Sequence, residues 1–147
     1  MDKKIKLGLD MHGVIDSDPT FFHLFTRHLI DKGHEVHIIT GKELGPVLDD
    51  ELDKCCVDYT QIFSITSYHK SIGTYVSYKD GNPEWPLIAP PKWDPTKAMY
   101  CKREDIDIMI DDSAVYGLYF EDIRTQYIRW TPEVRVLIDN LWWTAIG

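Results

Sequence analysis

Two apolar runs in this 147-residue chain end abruptly in aspartate: Leu7-Gly8-Leu9-Asp10, continuing Met11-His12-Gly13-Val14-Ile15, and Ile108-Met109-Ile110-Asp111-Asp112. A short buried strand that stops at a carboxylate delivers it to the rim of a sheet, where carboxylates bind metals and attack phosphorus. If the two strands are neighbours in a parallel sheet, Asp10, Asp111 and Asp112 share one edge. Hard oxygen donors gathered in this way suit Mg2+, which keeps an octahedral shell and takes one or two carboxylates alongside phosphate and water. Repulsion among the carboxylates also favours a bound cation. Either ending alone reads equally well as an ordinary strand cap or turn former; their joint occurrence favours the metal site.

The elements that must position these groups follow a βαβ rhythm. Strands are expected over residues 5–10, 35–40, 62–66, 107–111 and 126–130. A helix over 20–32 carries Phe21, Phe22, Leu24, Phe25, Leu29 and Ile30 to one side and stops at Gly33. A second runs from near Pro46 to about Cys56, and a short one holds Lys97 to Lys102, with Asp94 or Thr96 as its cap. The last, Pro132 to Ala145, spaces Val134, Leu137, Ile138, Leu141 and Trp142 helically. Strands separated by helix-length segments predict an α/β fold, with a central, mainly parallel sheet of about five strands covered on both faces. Between about 68 and 95 the pattern breaks, with a hairpin signal at Asp80-Gly81 and prolines at 86, 90, 91 and 95. A small flap over the sheet edge and a plain surface excursion fit this segment equally. Its Tyr75, Tyr78 and Trp85 could stack on a ligand or pack on the sheet.

Length and apolar content suit one domain over 1–147. A net charge of −8 and a pI near 5.1 oppose nucleic acid as a default partner and fit a small-molecule substrate better. Three cysteines, two of them adjacent at Cys55-Cys56, make no disulfide framework and point to reduced, partly buried thiols and the cytoplasm. The apolar stretch after Lys3, Lys4 and Lys6 stops at Asp10, too short for a signal segment or a membrane span. His23, His28, His34, His37 and His69 lack zinc spacing and are expected at the surface or in caps.

Taken in order, the motifs make the chain resemble the haloacid dehalogenase-like superfamily of phosphohydrolases over nearly its whole length, as a small, nearly capless member. The resemblance implies a three-layer Rossmann-like fold with the first- and fourth-motif strands side by side. It makes Asp10 the nucleophile that forms an aspartyl-phosphate. Thr40, ending Val36-His37-Ile38-Ile39-Thr40-Gly41, would hold a phosphoryl oxygen with the neighbouring amides, Gly41 included. Lys97 is the best placed phosphate-binding lysine, with Lys70 and Lys102 as competitors. Asp111 would ligate Mg2+ directly and Asp112 through water, while the main-chain carbonyl of His12 completes the metal site. His12 itself stands where the family's phosphatases carry an acid–base aspartate. An imidazole can exchange protons near neutrality, so a phosphatase of small phosphomonoesters, nucleotides among them, is the leading expectation. A catalytically impaired or non-catalytic phosphate-binding protein and a nucleic-acid end phosphatase are the alternatives. Members often carry an acid seven residues after the nucleophile; here that position is Ser17, flanked by Asp16 and Asp18.

Overall fold

The computed structural model describes residues 3–146, with side chains described through Leu141. Five parallel strands form the central sheet: β1 (Lys6–Leu9), β2 (Glu35–Thr40), β3 (Gln61–Ser64), β6 (Ile108–Asp111) and β7 (Gln126–Arg129), in the order β3-β2-β1-β6-β7. Among the described residues seven α-helices are interspersed: α1 (Pro19–Asp31), α2 (Pro46–Cys55), α3 (Ile65–Ser71), α4 (Pro90–Trp93), α5 (Thr96–Arg103), α6 (Ala114–Gly117) and α7 (Pro132–Ile146). A two-stranded antiparallel hairpin, β4 (Ser77–Tyr78) with β5 (Pro86–Leu87), stands apart from the sheet.

Strand alternation divides the core into two layers. Leu7, Leu9, Val36, Ile38 and Ile110 pack with Phe21 and Phe22 of α1 and Leu48 and Leu52 of α2. Ile39 and Met109 face the other way, against Ile65 of α3 and Ala98, Tyr100 and Cys101 of α5. The result is a three-layer Rossmann-like α/β fold. Phe22, fully buried, touches Phe21 edge-on and Trp130 at centroid distances of 5.0 Å each. Truncating such a ring costs about 3–5 kcal/mol.

Several local expectations are corrected. The third strand ends at Ser64, whose side chain caps α3 by accepting from the Ser67 amide, so Ile65 and Thr66 are helical. Within the expected irregular segment α3 runs on to Ser71 and α4 spans Pro90–Trp93, and the hairpin occupies the stretch between them. Neither Asp94 nor Thr96 caps α5; the Thr96 hydroxyl instead donates to the Lys92 carbonyl at 2.6 Å. Leu24, Leu137 and Leu141 face solvent, Val134 and Ile138 reach the core, and the side chain of Trp142 lies outside the described residues. His37 and His69 are buried and satisfied, by Tyr100 and Glu35 and by Thr74 and Thr96 respectively.

The three thiols occupy three environments: Cys55 is half-buried, Cys56 exposed at the left-handed end of α2, and Cys101 buried. Burial pushes the Cys101 thiol up to about 12. Because the thiolate is the reactive form, a maleimide at about pH 8 should label Cys56 first and leave Cys101 untouched until denaturant is added. Peptide mass mapping reads this out; prompt labelling of native Cys101 would contradict the packing of α5 on the sheet.

Candidate active site

In the central sheet the chain leaves β1 to build β2 and β3 on one side, then returns to build β6 and β7 on the other. The β1/β6 boundary is therefore the switch point at which crevices open in parallel sheets. Leu9 pairs with Ile110 in register, and the Asp10 amide donates to the Ile110 carbonyl at 3.0 Å, so Asp10 and Asp111 emerge side by side. Lys97, in the first turn of α5, inserts its Nζ between them, 2.8 Å from Asp10 Oδ1 and 2.7 Å from Asp111 Oδ2. All three side chains are buried. The other oxygen of Asp111 accepts from the Ser113 amide at 3.1 Å, which fixes the carboxylate plane. Asp112 joins at the surface: one carboxylate oxygen from each of Asp10, Asp111 and Asp112 lies within 4.8 Å of the others.

Burial pushes the Asp10 carboxyl up to about 7; Lys97 opposes the rise and the neighbouring acids add to it. Asp112 is raised by burial and by Asp111. For Lys97, burial favours the neutral amine, but Asp10 and Asp111 overcome it and hold the ammonium above the ordinary lysine range. Three carboxylates thus face one ammonium. Asp10 and Asp112 line the cleft, and with Asp111 they form an all-oxygen donor set that could hold a hard cation.

The turn after Asp10 is shaped by Gly13, whose φ is +89° and whose missing Cβ would stand 2.1 Å from Asp112 Oδ2. Its amide donates to Asp16 Oδ1 at 2.7 Å. Asp18 caps α1 and pairs with Arg135, and Ser17 bonds Val14 and Trp130, so this stretch holds the turn in place. His12 projects from the turn, and its Nε2 lies 2.5 Å from Glu51 Oε2 of α2. Glu51 also pairs with Lys42. Burial works against ionisation there, yet the bonds from Lys42 and His12 hold the Glu51 carboxyl below its usual range. A carboxylate can only accept, so Nε2 carries the proton and Nδ1 is the nitrogen left to exchange one.

A cleft of about 450 Å³ opens over these groups, lined by Asp10, His12, Lys97 and Asp112 and by Gly41 and Lys42 of the turn after β2. Thr40 is fully buried beneath that wall, and its hydroxyl accepts from the Lys42 amide at 3.2 Å. Gly41 is required because a Cβ would meet the Trp93 ring at 2.6 Å. Of the competing lysines, Lys70 pairs with Glu43 and Tyr78, and Lys102 is exposed on α5. Trp85 lines the cleft; Tyr78 is tied to Glu43, and Tyr75 is exposed elsewhere. Glu51, Lys42, Trp93 and Tyr116 were not singled out from sequence. An acid on the outer face of an amphipathic helix carries no signal of its own, and Trp93, between Lys92 and Asp94 in the proline-rich run, carries little more.

The chain matches no family model and no curated protein. Among solved structures it resembles an uncharacterized protein from Corynebacterium glutamicum ATCC 13032 Kitasato, with a TM-score of 0.58 at 12% identity, over 95% of this chain and 93% of that one. That likeness places the fold in the three-layer α/β class. Among the described residues no helix is long and apolar enough to cross a membrane.

Removing one partner of a buried charge cluster typically costs about 3–5 kcal/mol. Lys97→Met should lower the urea unfolding free energy by about that much at neutral pH in EDTA. The penalty should shrink at about pH 5, since acids with raised folded pKa values are stabilised in the fold when they can bind protons and lose that stability as pH rises. A pH-independent loss would mean that packing rather than charge accounts for it.

Proposed function

We propose that the chain is a magnesium-dependent phosphatase acting on small phosphomonoesters through an aspartyl-phosphate, with a haloacid dehalogenase-like site. The observation that carries this reading is Asp10, held by buried Lys97 beside Asp111 and Asp112 at the floor of an open cleft. A nucleophilic carboxylate, a fixed cation and a cation-binding acid pair are the parts that phosphoryl transfer requires, since its catalysis is mostly positioning and charge neutralisation.

Asp10, Asp111 and Asp112 would hold Mg2+, which when bound offsets the charge of the phosphate. Lys97 fixes one Asp10 oxygen and leaves the carboxylate oriented towards the cleft. An Asp10 oxygen attacks phosphorus as the ester P–O bond breaks, and the departing oxygen takes a proton from the His12 imidazolium. Neutral His12 then accepts a proton from water, whose oxygen attacks the same phosphorus; the acyl-phosphate P–O bond breaks, which frees Asp10 and inorganic phosphate. Glu51 keeps the imidazole in one tautomer throughout. Three cysteines without a disulfide suit a reducing cytoplasmic setting.

A panel of phosphomonoesters with magnesium tests the reading directly. Wild type should turn over, Asp10→Asn should fall to background, and EDTA should abolish turnover until magnesium is restored; equal activity of wild type and Asp10→Asn would end the enzyme assignment. The non-catalytic alternative is favoured by one observation, that the His12 ring is engaged by Glu51; it predicts metal-dependent phosphate binding without turnover, and gain of activity in His12→Asp, which would install the acid that the resemblance implies.

The role of His12 has its own signature. In kcat/KM, which reports the first phosphoryl transfer, His12→Ala should slow alkyl phosphates by roughly 10²–10⁴-fold and p-nitrophenyl phosphate far less, because that leaving group departs unprotonated. Glu51→Gln should show the same leaving-group dependence with a smaller loss. A loss in kcat/KM that is uniform across leaving groups would remove the general-acid role from His12.

A further inference from the structure

We infer that the cleft selects phosphomonoesters whose leaving group carries a planar aromatic ring, nucleoside monophosphates being the representative class, and that the ring stacks on Trp85 of the hairpin. This rests on the phosphomonoester reading above and specifies what lies beyond the phosphate.

The hairpin is built to present that indole. Asp80 and Gly81 adopt left-handed φ values of 53° and 70°, the Asn82 side chain accepts from the Glu84 amide at 2.9 Å, and the Asn82 carbonyl accepts from the Trp85 amide at 3.0 Å. The Trp85 carbonyl in turn accepts from the Lys79 amide at 2.9 Å. With its backbone tied on both sides, Trp85 still leaves 52% of its surface exposed while lining the cleft between Glu84 and Pro86. Lys79 Nζ sits 4.7 Å from its ring centroid, a cation–π contact that anchors the indole on the hairpin. A large ring left half exposed at the edge of this cleft offers a surface on which another ring can stack.

The rest of the aromatic wall continues towards the phosphate end. Trp93 donates its indole N–H to the Tyr116 hydroxyl at 2.7 Å, so this wall offers a ligand ring surface instead of an unmet donor. Lys97 Nζ lies 5.2 Å from the Tyr116 ring centroid, which joins the aromatic wall directly to the charged floor. The volume of about 450 Å³ falls in the range of organic-ligand sites, roughly 300–1,000 Å³, and exceeds what a phosphate alone requires. Recognition by stacking reads the presence of a ring more than its edge, so purine and pyrimidine nucleotides should be treated alike.

The test compares adenosine 5′-monophosphate, uridine 5′-monophosphate and ribose 5-phosphate, which share a phosphate and sugar and differ in the ring. Affinity is measured by calorimetry on Asp10→Asn with magnesium, and kcat/KM on the wild type. Both nucleotides should exceed ribose 5-phosphate by roughly 5- to 150-fold, the range of one base-on-aromatic stack, and differ less from each other. Trp85→Ala should collapse that ratio and Trp85→Phe should retain most of it. Ribose 5-phosphate equal to the nucleotides, a ratio that survives Trp85→Ala, or no binding of any probe would overturn the inference. Ring-selective binding without wild-type turnover would remove the phosphatase reading and leave this one standing; turnover without ring selectivity would do the reverse.

Discussion

The ammonium of Lys97 is the constraint around which the rest is arranged. A buried cation is tolerated only when carboxylates surround it at hydrogen-bond distance, and here those carboxylates come from different strands, with the lysine on a third element. The sheet must therefore place β1 beside β6, and α5 must begin close enough for Lys97 to reach across both strand ends. The order β3-β2-β1-β6-β7 meets the first condition. Ala98, Tyr100 and Cys101, packed with Ile39 and Met109 on one sheet face, meet the second. Core packing and site geometry are consequently one problem: a shift of α5 along the sheet would separate charges that cannot be left unpaired.

The same cluster explains why the site faces outward with a charge deficit. Lys97 is spent on Asp10 and Asp111 inside, while Asp112 is exposed and its carboxylate sits over the Gly13 turn. Repulsion among the acids is relieved internally on one side only. What is left, oxygen donors converging within 4.8 Å at a switch-point crevice, is an arrangement to which a hard cation from solvent can bind without displacing any apolar group. Gly13 permits this because any side chain there would occupy the place of the Asp112 carboxylate.

Much of this was legible in the chain because it follows from local pattern. Apolar runs ending in Asp10 and Asp111 predicted strands and a shared edge, and the βαβ rhythm predicted the sheet; Lys97 stood out as the best placed of three lysines, while its contacts with Asp10 and Asp111 came only from the geometry. What escaped depends on surroundings that no window of sequence contains. Ile65-Thr66 reads as strand by its β-branched residues, but the Ser64 cap turns it into helix. His37 reads as a strand-flanking polar residue, yet alternation points it inward, where Tyr100 and Glu35 satisfy both ring nitrogens. Glu51 is one acid among several on α2, and only the placement of α2 against the Asp10 turn brings it to His12.

Glu51 also connects the Asp10 turn to the hairpin, and the character of that connection separates the two parts of the cleft. Lys42 bridges Glu51 to Glu84 on the hairpin, the second contact at 3.8 Å with Glu84 half exposed. Exposed pairs of that kind contribute below about 1 kcal/mol, and a hairpin of two two-residue strands has little stability of its own. At its base Tyr78 donates to Glu43 at 3.3 Å, and Glu43 pairs with Lys70 of α3, contacts that are also partly exposed. The Trp85 rim is thus held lightly at its base and across the cleft, while the Lys97 cluster is locked by buried ion pairs. Rigid elements should carry the reacting groups and lower-stability ones the recognition surface; the hairpin can adjust to a ligand without any cost to the geometry of Asp10.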